Sequence, residues 1–507
     1  MKKVRVRFAP SPTGPLHMGG VRTALFNYLF AKKHGGDFLL RIEDTDQTRY
    51  VPGAEEYIVE SLKWCGISPD EGFSVGGDFG PYKQSERAET YRHYAMELVA
   101  KGGAYYAFDT AEEMDALRQA YEAEKKIFVY NNVTRKTLKN SLTLSEQECT
   151  EMIENGVPFV VRFKMPENEI VTMDDAIRGT VSFNTNDLDD KVLFKSDGLP
   201  TYHLANVVDD YMMQISHVIR GEEWLPSLPL HALLYRAFGW EESRPIFAHL
   251  PLILKPIGKG KLSKRDGDKM GFPVFPLEWK DPQSGDISMG YKEQGYLPEA
   301  FINMLAFLGW NPGTEQEIFT LEELAQAFSL EKVGKAGSKF DPEKTKWFNH
   351  QYLAATENKV LAQMFQPILK ENGVEATDDV VETVVGLVKE RATFVSDLWE
   401  QSSFFFETPT EYDAAVVKKR WKGQAPQQIA ELTELLKTVA DFSSENTEAV
   451  VKEWISTNEY GMGAVMNAFR LAIVGAGKGP HLFDIIAIIG KEETISRLEK
   501  AIAELPQ

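Results

Sequence analysis

Alternating apolar and charged residues over 4–8 have the period of a β-strand. A proline-rich turn follows at 9–15, and leucines and phenylalanines then recur at helical spacing over 19–33. The stretch 37–42 has the apolar composition of a second strand. A strand, a helix and a strand in this order predict a βαβ unit, and therefore a parallel sheet.

The central part of the chain mixes helical and strand patterns. Helices are predicted at 53–63 and 86–101, and the stretch 103–200 adds short strands such as 159–163. The strand pattern of the sheet resumes at 214–220. We therefore predict an insertion between two halves of one parallel sheet.

Toward the C-terminus the strand patterns fade and long helical segments dominate. Those segments are predicted at 356–372, 378–394, 424–442 and 482–505. The chain is thus predicted to be an α/β protein, with an inserted α+β domain and an all-α C-terminal region. The predicted boundaries are 1–102 and 208–255 for the two halves of the sheet domain, 103–207 for the insertion, 256–340 for a region with a lysine-rich loop, and 341–507 for the helical region.

The cellular compartment is indicated by the N-terminus and the cysteines. Residues 1–7 are charged and no apolar block follows them, which predicts a folded strand and no signal peptide. A run of about eighteen apolar residues, as a membrane span requires, does not occur. Cys65 and Cys149 are the 2 cysteines of the chain, too few for a disulfide framework or a cysteine zinc site. Reduced thiols in a cytoplasmic protein are the simpler interpretation.

The formal net charge of -19 bears on possible partners. An acidic chain is a poor general match for nucleic acid, because phosphates are bound by lysine and arginine. Net charge does not reveal local basic patches, however, and a large acidic enzyme can bind RNA through them. Motifs therefore have to decide whether RNA is a partner.

A first motif lies at 10–20, between the first strand and the first helix, and reads Pro-Ser-Pro-Thr-Gly-Pro-Leu-His-Met-Gly-Gly. A helix N-terminus at the carboxyl end of a parallel strand is suited to bind phosphate. Gly19 and Gly20 would let a nucleotide approach the backbone, and His17 could donate a hydrogen bond to an α-phosphate. Taken alone, the motif is equally compatible with a proline-rich helix cap that leaves His17 on the surface.

A second motif at 258–265, Gly-Lys-Gly-Lys-Leu-Ser-Lys-Arg, combines mobile glycines with several cations. Such a loop can close over a triphosphate and stabilise the departing pyrophosphate. Taken alone, a solvated basic loop is the better interpretation.

Together the two motifs resemble the signatures of class I aminoacyl-tRNA synthetases, His-Ile-Gly-His and Lys-Met-Ser-Lys-Ser. The matching residues are 17–20 and 261–265, each of which departs from the class pattern at its last position. Both departures resemble the bacterial-type glutamyl-tRNA synthetases. Further stretches that resemble this family lie at 41–46, 201–210, 218–224, 318–321 and 479–483.

The resemblance implies a Rossmann-like catalytic domain, with an insertion that binds the tRNA acceptor stem and helices that bind the anticodon. It implies ATP-dependent ligation of L-glutamate to the 3′ end of tRNA(Glu) through a glutamyl-adenylate. L-glutamate, ATP and tRNA(Glu) are then the substrates, with Mg²⁺ as the counter-ion of ATP, and a monomer is expected. No membrane partner and no dedicated metal site are expected.

The resemblance also assigns the site residues by their matching positions. The expected catalytic residues are His17, Gly19, Lys261 and Lys264. The expected ATP-binding residues are His17, Gly19, Gly20, Ser263 and Lys264. The expected glutamate-binding residues are Arg7, Ser11, Glu43, Tyr202, Asn206 and Arg220. Arginine suits a γ-carboxylate because its planar fork binds carboxylates in bidentate fashion, and a neutral glutamine amide would leave it underpaired.

Several alternatives stay open at this level. A glutaminyl-tRNA synthetase typically has Arg-Phe-Asp-Asp-Thr-Asn where this chain has Arg-Ile-Glu-Asp-Thr-Asp at 41–46. A non-discriminating enzyme would also charge tRNA(Gln), and a truncated relative that glutamylates a modified tRNA base would lack the helical region. An RNA-binding scaffold with a dead active site would have lost motif residues, whereas His17 and Lys264 are present. A nucleotidyltransferase that adenylates a small acceptor shares the first motif and the fold but has no use for a long helical region. The glycine-rich stretch 473–479 fails both the dinucleotide and the P-loop patterns. Residues 271–290 are longer than the usual link of the family, and the sequence indicates no role for them.

Overall fold

The computed structural model of the chain describes residues 3–506, which divide into two compact units with the boundary between Thr345 and Lys346. None of the helices within this described range has the length and the apolar character needed to cross a membrane.

Short strands of the first unit form several sheets. The strands are β1 (Arg5–Phe8), β2 (Asp37–Leu40), β3 (Glu71–Gly72), β4 (Ala104–Ala107), β5 (Val160–Phe163), β6 (Ile170–Asp175), β7 (Gly179–Asn184), β8 (Val192–Phe194), β9 (His217–Gly221), β10 (Ile246–Leu250), β11 (Ile253–Leu254), β12 (Trp279–Lys280), β13 (Ile287–Ser288) and β14 (Ser338–Lys339). Their order is β1-β2-β3 in one sheet, β7-β6-β10-β9 in a second and β4-β5-β8 in a third, and two-stranded pairs join β11 to β14 and β12 to β13.

Helices cover these sheets and connect the strands. In the first unit they are α1 (Met18–Lys33), α2 (Ala54–Trp64), α3 (Ala88–Ala100), α4 (Ala111–Ala123), α5 (Glu146–Glu154), α6 (Tyr202–Met212), α7 (Leu228–Phe238), α8 (Lys264–Met270), α9 (Pro298–Phe307) and α10 (Leu321–Ala327). The boundary between the units falls within α11 (Pro342–Ala355).

The predicted βαβ unit is confirmed by β1, α1 and β2. The two strands are parallel, with Arg5 opposite Asp37 and Arg7 opposite Leu39. All four residues of β1 are buried, so its alternating charges do not mark a solvent-exposed face. The backbone of Arg5 donates to the hydroxyl of Ser216 and accepts from its N–H, which places the end that precedes β9 beside β1. The carboxyl ends of β1, β2 and β9 therefore lie close together, although β9 belongs to a different sheet, and the carboxyl ends of parallel strands are where α/β proteins bind ligands.

The stretch predicted as an insertion contributes to two sheets. Strands β4, β5 and β8 form an antiparallel sheet of their own. The hairpin of β6 and β7 instead extends the sheet of β9 and β10, because β6 pairs in parallel with β10. The domain boundaries 103–207 stay a prediction.

The described residues of the second unit form helices joined by loops, without β-strands. Its helices are α12 (Asn358–Glu371), α13 (Asp378–Val388), α14 (Asp397–Phe406), α15 (Ala414–Arg420), α16 (Ala425–Thr438), α17 (Ser444–Thr457), α18 (Met462–Val474), α19 (Leu482–Ile489) and α20 (Lys491–Glu504). The prediction of one helix over 482–505 is wrong, because Gly490 has a φ of 86° and separates α19 from α20. The residue at this position leaves the helical backbone region, and glycine does so without the steric cost of a side chain.

Candidate active site

A cavity of about 510 Å³ lies at the carboxyl ends of β1 and β9. Most of the predicted site residues line it: Arg7, Ser11, His17, Gly19, Gly20, Glu43, Tyr202, Asn206, Arg220 and Lys261. Ser263 and Lys264 are not among its lining residues. The structure thus brings the residues predicted for glutamate together with the first phosphate-binding motif, and leaves part of the lysine loop outside.

Arg7 is held by a carboxylate from a distant part of the chain. Its Nε and Nη2 donate to the two oxygens of Asp210 over 3.0 and 3.1 Å, and Nη2 also lies 3.5 Å from the Asn206 amide oxygen. Arg41 donates to the same carboxylate over 2.8 Å. Although burial opposes it, the pKa of Asp210 is lowered by these two guanidinium groups. The charge of Arg7 is therefore already balanced before a substrate binds.

Glu43 is an anionic group in the lining of the cavity. Arg41 and the side-chain amide of Asn206 both donate to its Oε1, over 2.9 and 3.0 Å. Within residues 3–506 the other oxygen, Oε2, has no hydrogen-bond donor, so it is available to accept from an ammonium group.

Arg220 is a buried cation of the cavity whose hydrogen-bond partners are all neutral groups. Its Nε donates to Nε2 of His249 over 3.0 Å, Nη1 donates to the Tyr202 hydroxyl over 2.7 Å, and Nη2 donates to the Trp224 carbonyl over 3.3 Å. In the described part of the chain no carboxylate forms an ion pair with Arg220, which is 5% exposed. Burial lowers the pKa of this guanidinium, although the charges of Asp210 and Glu43 partly oppose the effect.

The neutral partners of Arg220 are fixed by a further carboxylate. His249 shares a hydrogen bond of 2.6 Å between its Nδ1 and Asp175, and both side chains are buried. Burial alone would raise the pKa of Asp175, but this hydrogen bond lowers it. Burial also lowers the pKa of His249. An ionised Asp175 accepts from Nδ1–H, so Nε2 of the neutral ring is free to accept from Arg220.

A second histidine, His231, also lies near Arg220, with its Nδ1 3.5 Å from Nη1. Burial and the charge of Arg220 hold the pKa of His231 well below its usual range. Arg220 is therefore surrounded by groups that orient it without neutralising it.

The mouth of this part of the cavity is aromatic. The ring of Trp224 packs on Tyr202 with 4.3 Å between centroids and 34° between planes, and both residues line the cavity. Trp224 is 41% exposed, so the pair forms a wall between the cavity and solvent.

His17 stands at the start of α1 as its N-cap. Its Nδ1 accepts from the N–H of Gly19 over 3.2 Å, so a neutral ring carries its proton on Nε2. Burial, with a smaller effect from Lys261, lowers the pKa of His17 to about 4. Nε2 is buried and has no hydrogen-bond partner among residues 3–506. The structure thus holds a neutral, unpaired N–H donor at the cavity.

The two glycines after His17 differ in what surrounds them. A Cβ at Gly20 would lie 2.5 Å from Cδ1 of Leu16, which is too close. A Cβ at Gly19 would lie 3.6 Å from His17 and 4.0 Å from Ile253, which are ordinary contacts. Gly20 is therefore needed for packing, whereas a side chain at Gly19 would occupy space in the cavity.

The lysine loop is folded against its own helix. Ser263 caps α8 through a reciprocal pair of hydrogen bonds with Asp266, and Lys255 pairs with the same carboxylate over 3.0 Å. Lys261 forms an ion pair of 3.1 Å with Glu223. Lys264 is the first residue of α8 and lies outside the cavity, with Nζ 5.8 Å from the ring centroid of Phe275.

Several residues of the site were not predicted from the sequence. Asp210, Arg41, His231, His249 and Trp224 hold or enclose the predicted side chains. Asp210 and Arg41 lie inside stretches that carried the family resemblance, but their partners are far apart in the chain. His231 and His249 are single histidines in apolar segments, where no local signal separates them from core residues.

The comparisons with known proteins agree along the whole chain. The family model described as tRNA synthetases class I (E and Q), catalytic domain, matches residues 3–347, and an anticodon binding domain model matches 360–502. The glutamate–tRNA ligase of Flavobacterium johnsoniae is 61% identical to the chain over 99% of this chain and 100% of its own length. The glutamate–tRNA ligase of Phocaeicola vulgatus is 60% identical over 99% of both chains.

Solved structures give the same result. The crystal structure of a glutamate tRNA ligase from Elizabethkingia meningosepticum in complex with its amino acid is 54% identical, covers 100% of both chains and superposes with a TM-score of 0.96. The glutamate-tRNA synthetase of Elizabethkingia anophelis, also 54% identical, covers 99% of this chain and 100% of its own with a TM-score of 0.93. The chain belongs to the glutamate–tRNA ligases, within the class I aminoacyl-tRNA synthetases.

Proposed function

We propose that the cavity binds L-glutamate and ATP side by side and joins them as glutamyl-adenylate, from which the glutamyl group passes to the 3′ end of tRNA(Glu). The proposal rests on the presence of two groups in one cavity. Arg220 is a buried cation whose hydrogen-bond partners are all neutral, and Nε2–H of His17 is a donor without a partner among residues 3–506. The first fits a carboxylate side chain, and the second fits a phosphate oxygen.

In this proposal Arg220 is the main partner of the γ-carboxylate. Arg7 contributes its positive field, which Asp210 balances through hydrogen bonds from Nε and Nη2. Oε2 of Glu43 accepts from the α-ammonium, and Asn206 keeps Glu43 in place. Tyr202 orients Arg220, and Ser11 completes the lining of the cavity.

The reaction needs no nucleophile from the protein. The α-carboxylate of glutamate attacks the α-phosphate of ATP, the bond to the β-phosphate breaks, and pyrophosphate leaves. Nε2–H of His17 donates to the charge that develops on the α-phosphate, and Gly19 and Gly20 admit the nucleotide to the start of α1. A terminal ribose hydroxyl of tRNA then attacks the adenylate carbonyl, and AMP leaves. The enzyme contributes positioning and electrostatic stabilisation.

The lysine loop has to move before it can contact ATP. Lys264 lies outside the cavity, whereas Lys261 lines it. Gly258 and Gly260 have φ values of 86° and 106°, so the loop contains two positions that tolerate unusual backbone conformations. We propose that the loop closes on the β- and γ-phosphates, where Lys264, Ser263 and Lys261 stabilise the departing pyrophosphate. Mg²⁺ enters with ATP as part of the substrate.

The remaining parts of the proposal concern tRNA and the cell. The helices of the second unit, matched by the anticodon binding domain model, would contact the anticodon, and the sheet of β4, β5 and β8 would contact the acceptor stem. We propose that the enzyme acts as a monomer in the cytoplasm.

The test is ATP–pyrophosphate exchange with each of the twenty amino acids, with and without tRNA. We expect exchange with glutamate alone, and only when tRNA(Glu) is present. Exchange with glutamine would assign the chain to the glutaminyl enzymes, which the comparisons do not favour, and transfer of glutamate to tRNA(Gln) would show a non-discriminating enzyme.

A further inference from the structure

The longer segment at 271–290 packs beside the first phosphate-binding motif. The N–H of Met18, the first residue of α1, donates to the carbonyl of Val274 over 2.8 Å. The ring of Phe275 meets the imidazole of His17 edge to face, with 6.1 Å between centroids and 83° between planes. Phe275 is 5% exposed and does not line the cavity.

The same segment is anchored on α2. The Tyr57 hydroxyl donates to the carbonyl of Leu277 over 2.5 Å and accepts from its N–H over 3.2 Å. The Tyr57 ring also meets Trp279 edge to face at 5.2 Å. A short hairpin of β12 and β13 closes the segment, and Tyr291 then donates its N–H to the Phe275 carbonyl over 2.9 Å. Phe275 is therefore fixed from both sides along the chain.

The segment is also packed tightly against the helix that follows the lysine loop. A Cβ at Gly267 in α8 would lie 2.7 Å from the Phe272 carbonyl oxygen and 2.9 Å from Cγ1 of Val274. The ammonium group of Lys264 lies 5.8 Å from the centre of the Phe275 ring, within the range of a cation–π contact. One aromatic ring thus contacts both signature motifs.

We propose that Phe275 is a positioning residue for adenylate formation. It holds the imidazole of His17 toward the cavity, and its ring contacts the ammonium group of Lys264 before ATP binds. This inference rests on the proposed roles of His17 and Lys264. Phe275 itself touches no substrate, since it lies outside the cavity, and its effect on kcat acts through His17. Because His17 acts on charge that develops in the transition state, its misplacement lowers kcat more than it raises the KM for ATP.

The test compares Phe275→Leu with Phe272→Leu, since Phe272 is a neighbouring buried ring whose aromatic partner is Phe340 and not His17. In tRNA-dependent ATP–pyrophosphate exchange with glutamate, we expect kcat to fall about three- to tenfold for Phe275→Leu, the value of a lost aromatic pair. The KM for ATP should stay within about twofold, and Phe272→Leu should keep the wild-type kcat. Phe275→Met, which fills the space without a ring, should behave like Phe275→Leu.

A double-mutant cycle separates positioning from general loss of packing. If Phe275 acts through His17, then Phe275→Leu should cause little further loss in a His17→Ala background, because contacting residues are not additive. Equal loss in both backgrounds, or a kcat for Phe275→Leu no lower than that of Phe272→Leu, would overturn the inference. Absence of glutamate-dependent exchange in the wild-type enzyme would instead contradict the proposed function.

Discussion

Replacing Arg220 by lysine tests the assignment of the γ-carboxylate most directly. Lysine keeps the charge but has a single compact ammonium group in place of a planar fork. Arg220 uses three different nitrogens for His249, Tyr202 and the Trp224 carbonyl, and a lysine cannot reach all three in this geometry. The ammonium group would therefore be displaced from the position at which Arg220 meets a carboxylate.

The size of the effect follows from the kind of bond that is lost. A hydrogen bond to a charged group contributes about 1.5–3 kcal/mol. At about 1.4 kcal/mol for each factor of ten, the KM for glutamate should rise by about 10- to 150-fold. The KM for ATP should change little, because Arg220 contacts groups on the amino-acid side of the cavity. Discrimination against glutamine should weaken, since the neutral amide gains less from the native fork than the carboxylate does.

The assay is ATP–pyrophosphate exchange over a range of glutamate and glutamine concentrations, with saturating tRNA(Glu). Arg135→Lys is a matched control, because Arg135 is also buried and also makes several hydrogen bonds, to Asp190 and the Met165 carbonyl, outside the cavity. We expect this variant to be less stable but to keep the glutamate KM. A glutamate KM for Arg220→Lys within twofold of the wild type would refute the assignment of Arg220.

Three further outcomes are expected. Because burial lowers the pKa of His17 to about 4, its ring stays neutral from pH 5 upward and gains a proton only near pH 4. The kcat for exchange should therefore show no step near pH 6.5. A step at that pH that disappears in His17→Ala would contradict a neutral donor. Gly20→Ala should lower the melting temperature, because the contact with Leu16 would cost about 1–3 kcal/mol of unfolding free energy. Gly19→Ala should keep the melting temperature and raise the KM for ATP. The reverse pattern would be incompatible with the surroundings of the two glycines. Lys264→Ala should lower kcat for exchange by about 100-fold or more while tRNA binding persists, and full activity of this variant would remove Lys264 from the mechanism.

Local patterns predicted the part of the fold that local interactions determine. The period of two over 4–8 and the helical spacing over 19–33 identify β1 and α1, because the type of each element depends mainly on the order of its own residues. The helical nature of the C-terminal region was predicted for the same reason. The break at Gly490 was missed because one glycine within a helical pattern has no distinct signature until its φ is known.

The candidate site was predicted as a set of residues, but its electrostatics were not. Arg7 and Asp210 lie 203 positions apart, and nothing local to either residue indicates that they pair. From the sequence, the family resemblance indicated Arg7 as the γ-carboxylate-binding arginine and Arg220 as a second candidate cation. The difference between them depends on which carboxylates the fold brings close, and this is a tertiary property. For the same reason, residues 271–290 had no role until their contacts with His17 and α2 were visible.

The long separation between Arg7 and Asp210 also matters while the chain is being made. A nascent chain that has emerged only as far as the hairpin of β6 and β7 contains Arg7 and Arg41, but not the carboxylate that both of them bind. Burying Arg7 without that partner would cost several kcal/mol of folding free energy. We therefore expect β1 to pack stably only after the ribosome has extended the chain beyond α6. Folding of the N-terminal half during translation therefore requires residues that are translated much later. We expect fragments that end before α6 to bind chaperones or to be degraded by proteases.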